Sequence, residues 1–168
     1  MPLSACATVT RRLDIRLPWC YTSAKGVTGM SRITRFGVSV PQELIEQFDE
    51  LIRAKKYRNR SEAIRDLIRD YLVANEWEIG AGQVTGTVTI VYDHHVRELS
   101  GNLTSLQHDS HDVISCSTHV HLDEHNCLEV IVLHGTPEQV KSVADRLISA
   151  RGVKHGKLVC TTTGRKLV

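Results

Sequence analysis

The chain has 168 residues, of which 41% are hydrophobic, 24% charged and 5% aromatic, so one average domain or two small ones must be built around Val, Ile and Leu. A net charge of +2 is too small to indicate a nucleic-acid or membrane partner, and no run approaches the roughly 18 apolar residues of a membrane span. Five cysteines without framework spacing indicate a reducing compartment, which predicts a cytoplasmic protein with no membrane partner.

Residues 1–30 lack the patterning of folded structure. They carry a few basic residues among scattered small ones, and no apolar run of signal-peptide length follows. A strongly patterned segment opens at Met30. We therefore expect residues 1–30 to be a disordered extension or the product of a mis-assigned start.

Residues 31–76 follow a strand–helix–helix pattern. Residues 32–40 alternate as a half-buried strand, and two stretches with apolar residues at helical spacing follow, the first of them after Pro41. Ser61 is the predicted N-cap of the second helix. Because so short a unit cannot bury a core alone, we expect it to pair with a second copy of itself.

A change of pattern separates the two halves of the chain. Residues 77–83 contain two glycines and are predicted to form a linker, residues 84–163 a second domain, and residues 164–168 a tail. The order βαββαβ is that of the ferredoxin-like fold, so the predicted class is α+β. The second domain is predicted to have strands at 84–92, 113–122, 127–133 and 153–161 and helices at 96–107 and 137–150.

Histidine is confined to the second half, and all nine histidines lie after residue 93. His119 and His121 are two apart on a predicted strand, so both imidazoles face one side, and Cys127 opens the returning strand. Two nitrogens and a thiolate make most of a site for Zn²⁺, Ni²⁺ or Cu²⁺, with His108 and His111 as candidates for the fourth ligand. The alternative is that these are ordinary surface or core histidines.

The turn between these two strands constrains the site. With a four-residue turn at 123–126, His121 would pair with Leu128, and Cys127 would face away from the imidazoles. Five loop residues, or a bulge, bring Cys127 opposite His121. A metal site therefore predicts a looser turn than the tightest register allows.

The pattern of the first half is consistent with a sequence-specific DNA-binding domain. A strand paired with its own copy fits the major groove, where Arg35 would bind guanine and Ser39 several base edges. Arg58, Arg60 and Ser61, at the start of the second helix, would bind a phosphate. The alternative is a helical dimerisation module with a solvated strand.

Motifs for catalysis are absent from the sequence, which has no glycine-rich phosphate loop, no GxSxG and no HExxH. We therefore expect no enzyme activity. Two alternatives stay open: a regulator of the same build that senses zinc or copper, and a small-molecule-binding or metal-dependent protein without DNA binding.

Three motifs resemble the nickel-responsive transcriptional repressors of the NikR family. They are YRNRSEAIRD at 57–66, HVH at 119–121 with CLE at 127–129, and GVKHG at 152–156. The resemblance implies a ribbon-helix-helix dimer for residues 31–76, an ACT-type domain for residues 84–163 and a homotetramer.

The same resemblance implies the metal ligands. One square-planar Ni²⁺ per subunit would be bound by His119, His121 and Cys127 of one subunit and by His108 of a neighbouring subunit. His111 would serve a secondary site.

A further cation site, often for potassium, is implied at Glu62 and Asp66, which share one face of the second helix. Base contacts are implied for Arg35, Gly37 and Ser39, and Gly37 stands where members of the family usually have a hydroxyl residue. One base contact per subunit would therefore be lost.

The implied function is nickel-dependent repression. Ni²⁺ would favour the arrangement in which two ribbons match both half-sites of a palindromic operator in double-stranded DNA, upstream of nickel-uptake genes. Arg97 matches a phosphate-contacting position and would add a contact to the DNA backbone.

Overall fold

The computed structural model describes residues 33–167. Phe36–Val168 forms one compact unit, and the extension predicted at residues 1–30 lies outside the described residues. None of the helices in the described part combines the length and the apolar character needed to cross a membrane.

In the described residues, two helices precede an antiparallel sheet that carries two further helices. The sheet order is β2-β3-β1-β4 and the chain order from β1 onward is βαββαβ, so the predicted α+β class and the ferredoxin-like order are confirmed. The helices are α1 (Gln42–Ala54), α2 (Arg60–Ile79), α3 (Leu99–His108) and α4 (Pro137–Ile148). The strands are β1 (Val84–Asp93), β2 (Ile114–His121), β3 (Asn126–Gly135) and β4 (Val153–Thr162).

One face of the sheet is covered by helices and holds the core. Side chains along β1 alternate between buried and half-buried, which is typical of a sheet with helices on one face. Val88, Ile90 and Ile131 on that face have no exposed surface. Leu103 of α3 and Leu147 of α4 belong to the same buried cluster, so both helices lie on the covered face.

The strand predicted at residues 32–40 does not form in the single chain. Residues 33–40 have no regular structure and are exposed throughout, including Phe36 and Val38. A strand needs hydrogen bonds to a neighbouring strand, and every strand in the described residues lies in the C-terminal sheet. An isolated alternating segment therefore has no pairing partner within one chain.

Two helices begin at positions that differ from the predicted ones. Asn59, not Ser61, caps α2, because its backbone is extended and its side chain accepts a hydrogen bond from the Glu62 N–H at 2.9 Å. Helix α3 begins at Leu99 rather than at Val96, since the left-handed backbone of Glu98, with a φ of 68°, interrupts the turn before it.

Helix α2 continues into the segment predicted as a linker. It ends at Ile79, where Gly80 adopts the left-handed conformation with a φ of 73°. Trp77 is buried in the C-terminal core, and its indole N–H donates to the Thr161 carbonyl at 2.8 Å. One continuous helix therefore joins the N-terminal half to the core of the C-terminal domain.

Two glycines give a matched test of packing. A Cβ on Gly156 would lie 2.8 Å from Ile148 Cγ1 and 3.1 Å from Ile90 Cγ2, whereas nothing lies within 4 Å of a Cβ on Gly101 in α3. We expect Gly156→Ala to lower the free energy of unfolding by about 1–3 kcal/mol because it overpacks the core. Gly101→Ala should raise it by up to about 1 kcal/mol because alanine favours a helix.

Urea denaturation of the two variants beside the wild type measures both changes. An unchanged midpoint for Gly156→Ala would contradict the close packing of β4 against α4.

Candidate metal centre and nucleic-acid interface

The register of β2 against β3 places the two strands of the predicted metal site. His121 lies opposite Cys127 and His119 opposite Glu129. Residues opposite each other in an antiparallel pair project to the same face, so the imidazoles and the thiol share the covered face of the sheet. The pairing of His121 with Cys127 confirms the register that a metal site requires. The turn itself is tighter than predicted, because the Leu122 N–H donates to the Asn126 carbonyl at 2.8 Å and the chain reverses within residues 123–125.

Asp123 holds that turn in shape. Its Oδ1 accepts hydrogen bonds from the backbone N–H of His125 at 2.8 Å and of Asn126 at 2.7 Å, and the Asn126 amide donates to the same carboxylate. The Asn126 side chain first, and then the two backbone N–H groups, lower the pKa of Asp123 to about 2. The charged carboxylate thus closes the turn that sets the register.

A group of three metal-ligating side chains converges on this strand pair. The Cys127 sulfur lies 3.2 Å from His94 Nδ1 and 3.3 Å from His121 Nδ1, and the three ligand atoms lie within 4.8 Å of one another. Cys127 has no exposed surface, His94 is half-buried and His121 is exposed. Burial, and then the charges of nearby carboxylates, raise the pKa of the Cys127 thiol above its usual range.

The sequence reasoning did not single out His94. It follows β1, whose last residue Asp93 pairs with Asn126 at the start of β3. The predicted βαββαβ order could have indicated this residue, because the ferredoxin-like fold pairs its first and third strands antiparallel. The end of β1 therefore lies beside Cys127, and the residue after it is a histidine.

His119 is held by a buried polar network next to this group. The Tyr92 hydroxyl donates to Glu129 Oε2 at 3.2 Å, and its oxygen lies 3.2 Å from His119 Nδ1. Because the hydroxyl hydrogen is directed at the carboxylate, the oxygen accepts from an N–H at Nδ1, which leaves Nε2 of His119 free to bind a metal. Gln107 donates to the other oxygen of Glu129 at 2.8 Å.

Burial, and then the Glu129 charge, raise the pKa of Tyr92 far above its usual range. The phenol therefore stays protonated and can keep donating to the carboxylate. The His119 and His121 ring centroids are 4.9 Å apart, so the network also keeps His119 beside the convergent group.

The other predicted metal residues lie apart from this group. His108 is the last residue of α3 and is exposed, and the exposed His111 follows it with Nδ1 3.1 Å from the His108 carbonyl oxygen. Glu62 and Asp66 lie one turn apart near the start of α2 and are half-buried. The Glu62 carboxylate accepts a long hydrogen bond, 3.4 Å, from the Arg58 N–H, and Asp66 pairs with Arg69 at 2.9 Å.

The predicted DNA-contacting residues are all exposed. Arg35, Gly37 and Ser39 lie in the segment before α1, and Ser61 lies in the first turn of α2. The Arg60 guanidinium forms a two-point pair with Asp49 of α1, with its Nε 2.7 Å from Oδ1, so this arginine also ties the two helices together. Two further side chains of the set, Arg58 and Arg97, are exposed as well.

Comparison with known proteins identifies both halves of the chain. Residues 34–74 match the ribbon-helix-helix protein of the copG family, and residues 85–161 match the NikR C-terminal nickel-binding domain. A Thermococcus onnurineus (strain NA1) protein named as a nickel-responsive regulator is 61% identical over 137 residues, which cover 82% of this chain and 99% of that protein. The chain belongs to the family of nickel-responsive regulators. A relative of the same name from Geobacter sulfurreducens is 59% identical over 138 residues, with 82% and 99% covered.

As a member of this family, the chain is a transcription regulator with a DNA-binding domain followed by a nickel-binding domain. The ribbon-helix-helix match ends at residue 74 and the nickel-binding match begins at residue 85. Helix α2 spans the first half of that interval, to Ile79, and its last turn carries the buried Trp77. The connection between the two domains is therefore helical up to Ile79.

The turn offers a test of how the register positions the ligands. We expect Asp123→Ala to weaken metal binding about tenfold or more, because the hydrogen bonds that set the spacing of His121 and Cys127 are lost. Glu124→Ala in the same turn is the matched control and should leave the affinity unchanged, since the hydrogen bond between Glu124 and His95 uses the Glu124 backbone carbonyl, which the substitution keeps. Competition with a chromophoric chelator measures both affinities, and equal affinities for the two variants would contradict the role of Asp123.

Proposed function

We propose that this protein binds Ni²⁺ and then represses nickel-uptake genes by binding a palindromic operator. The observation that carries the proposal is the β2–β3 register, which sets His121 opposite Cys127 in a chain whose other half matches a ribbon-helix-helix domain. Four protein ligands would close the coordination sphere, so we infer a regulatory metal and no enzyme activity. We infer a cytoplasmic location.

The donor set fits a nickel site. A thiol and imidazoles are the soft and borderline ligands that late transition metals prefer, and the sulfur lies within 3.3 Å of two imidazole nitrogens. We infer one Ni²⁺ per subunit, bound by His119, His121 and Cys127 together with His108 of a neighbouring subunit. The free Nε2 of His119 and the exposure of His108 support this set. Bound nickel would supply a strong link between these donors.

His94 is a further donor that lies beside the inferred set. Within one chain His94 lies close to Cys127, so it would complete a site before a neighbouring subunit supplies His108. We infer that His94 is a provisional ligand and that His111 serves a secondary site. His94→Ala should then keep the planar nickel spectrum, whereas His108→Ala should lose it.

A symmetric assembly is supported by the apolar surface of the N-terminal half. Leu44 and Leu51 of α1 and Leu67 and Tyr71 of α2 are more than half exposed, which is costly for a single chain in water. Pairing with a second copy would bury them and give residues 33–40 a strand partner. We infer such a dimer within a homotetramer.

DNA contacts would come from that paired segment. Arg35, Gly37 and Ser39 would face base edges in the major groove, and Gly37 would leave one position without a side-chain contact. Arg58, Arg60 and Ser61 at the start of α2, and Arg97 beyond β1, would contact phosphates.

Metal binding would be coupled to DNA binding through the relative arrangement of the subunits. A site completed by His108 of a neighbouring subunit forms only in one arrangement of subunits, so metal binding favours that arrangement. Helix α2 is continuous from Arg60 to Ile79 and is anchored by Trp77, so a shift of the C-terminal domain would be passed to the DNA-binding half. A potassium site at Glu62 and Asp66 would lie on the same helix.

Loss of the thiol tests the nickel site. We expect Cys127→Ala to lose nickel-dependent operator binding, because the sulfur donor beside His94 and His121 is removed. Cys116→Ala, an exposed cysteine on the adjacent strand, is the control and should behave as wild type. Gel-shift titrations with nickel varied measure both, and an unchanged nickel response in Cys127→Ala would overturn the proposal.

Loss of Arg35 tests whether the two sites are separate. Arg35→Ala should weaken operator binding by about 1–3 kcal/mol, because a bidentate base contact is lost. Its nickel affinity should equal that of wild type, since Arg35 is remote in sequence from every proposed ligand. A large loss of nickel affinity measured by calorimetry would count against this division of roles.

The runner-up is a regulator of the same build that senses zinc or copper, because the same donors suit those ions. X-ray absorption on the metal-loaded protein separates the two, since planar four-coordination supports nickel and tetrahedral coordination supports zinc. A regulator without DNA binding would show no operator shift at any nickel concentration.

A further inference from the structure

A second group of metal-ligating side chains lies beside the first. Asp93, His95 and His125 each offer one ligand atom, and these atoms lie within 4.8 Å of one another. Asp93 ends β1, His95 lies in the turn after it, and His125 lies in the turn between β2 and β3. The group shares no residue with His94, His121 and Cys127.

The hydrogen bonds of His95 prepare it to bind a metal. Its Nε2 lies 3.0 Å from the Glu124 carbonyl oxygen. A carbonyl only accepts hydrogen bonds, so Nε2 carries the proton and Nδ1 of the neutral ring keeps a free lone pair. Metal-binding histidines in proteins commonly have their other nitrogen engaged with a carbonyl in this way.

The carboxylate of this group is held in place by its neighbours. The backbone N–H of His95 donates to Asp93 Oδ1 at 2.9 Å. The Lys154 Nζ lies 3.8 Å from Asp93 Oδ2. A carboxylate oxygen therefore lies within reach of the two imidazoles.

The backbone around the group is already fixed. The His94 N–H donates to the His125 carbonyl at 3.2 Å, and the His125 N–H donates to Asp123 at 2.8 Å. The His95 and His125 rings stand edge to face with centroids 5.3 Å apart. Both turns are thus held together before any ion binds, which reduces the entropic cost of binding.

One nearby charge opposes a cation. The Lys154 ammonium donates to Asn126 Oδ1 at 2.6 Å, which holds it at the edge of the group. Its repulsion would weaken cation binding without blocking the three ligand atoms. The site should therefore be weaker than one built around the Cys127 thiolate.

We propose that Asp93, His95 and His125 form a second, thiolate-free site for a borderline divalent cation such as Co²⁺, Ni²⁺ or Zn²⁺. Two imidazoles and one carboxylate are a common ligand set for these ions, and water completes their coordination. Consecutive residues, His94 and His95, then serve two different sites. An ion at the second site would tie the end of β1 to the turn that positions Cys127.

Co²⁺ titration of the full chain tests the proposal, because cobalt bound to a thiolate shows a charge-transfer band that cobalt bound to nitrogen and oxygen lacks. We expect His125→Ala to bind one Co²⁺ fewer per chain than wild type and to keep the charge-transfer band. His155→Ala, an exposed histidine on β4, is the matched control and should bind as many ions as wild type. Equilibrium dialysis with metal analysis gives the counts.

A second variant separates binding from folding. Lys154→Gln removes the repelling charge and should raise the affinity of the thiolate-free site for Co²⁺. Damage to the fold would not raise this affinity. Equal Co²⁺ counts for His125→Ala and wild type would overturn the proposal, and so would an unchanged or weaker second equivalent in Lys154→Gln.

Discussion

The closure of the β2–β3 turn by Asp123 is the constraint on which the metal centre depends. Side chains on a strand alternate between faces, so one residue more or less in this turn would move Cys127 from the covered face to the open one. The carboxylate accepts hydrogen bonds from two backbone N–H groups and from the Asn126 side chain, and these bonds hold the turn that pairs His121 with Cys127. Because Cys127 then points into the covered face, its sulfur is buried beside imidazoles that remain open toward solvent or another subunit.

Glu129 links the rest of the site to the helix that ends at His108. A buried carboxylate is costly unless its oxygens are hydrogen-bonded, and here Tyr92 donates to one oxygen and Gln107 to the other. Gln107 is the residue before His108, so the same carboxylate that orients His119 through Tyr92 also holds the end of α3. His108, the ligand proposed for a neighbouring subunit, and His119, the ligand proposed within the chain, would thereby both be positioned by the Glu129 carboxylate.

Helix α2 extends into the segment predicted as a linker, so a helix joins the two halves of the chain up to Ile79. The glycines after residue 79 and the polar residues before it are typical of a linker, and they predicted one from Trp77 onward. The indole instead packs over β1 beside Gly86 and donates to Thr161, which gains buried apolar area and satisfies its N–H. Such burial outweighs local propensity, and it makes α2 a stiff element shared by both halves.

The sequence by itself determined the order of elements from α1 onward and the family, and it suggested ligand types, because the alternation of apolar residues and motifs such as HVH and CLE depend only on local spacing. It also required Cys127 to lie opposite His121, although the structure achieves this with a tight turn and not with the loose one predicted. Only the tertiary structure decided which residues meet across strands. His94 beside Cys127, the Glu129 network and the Asp93, His95 and His125 group arise from pairing of β1 with β3 and from the turn facing it, and such contacts join residues about thirty apart in the chain. Local spacing carries no direct record of those distances, so the sequence could suggest candidate ligands but could not give all their neighbours.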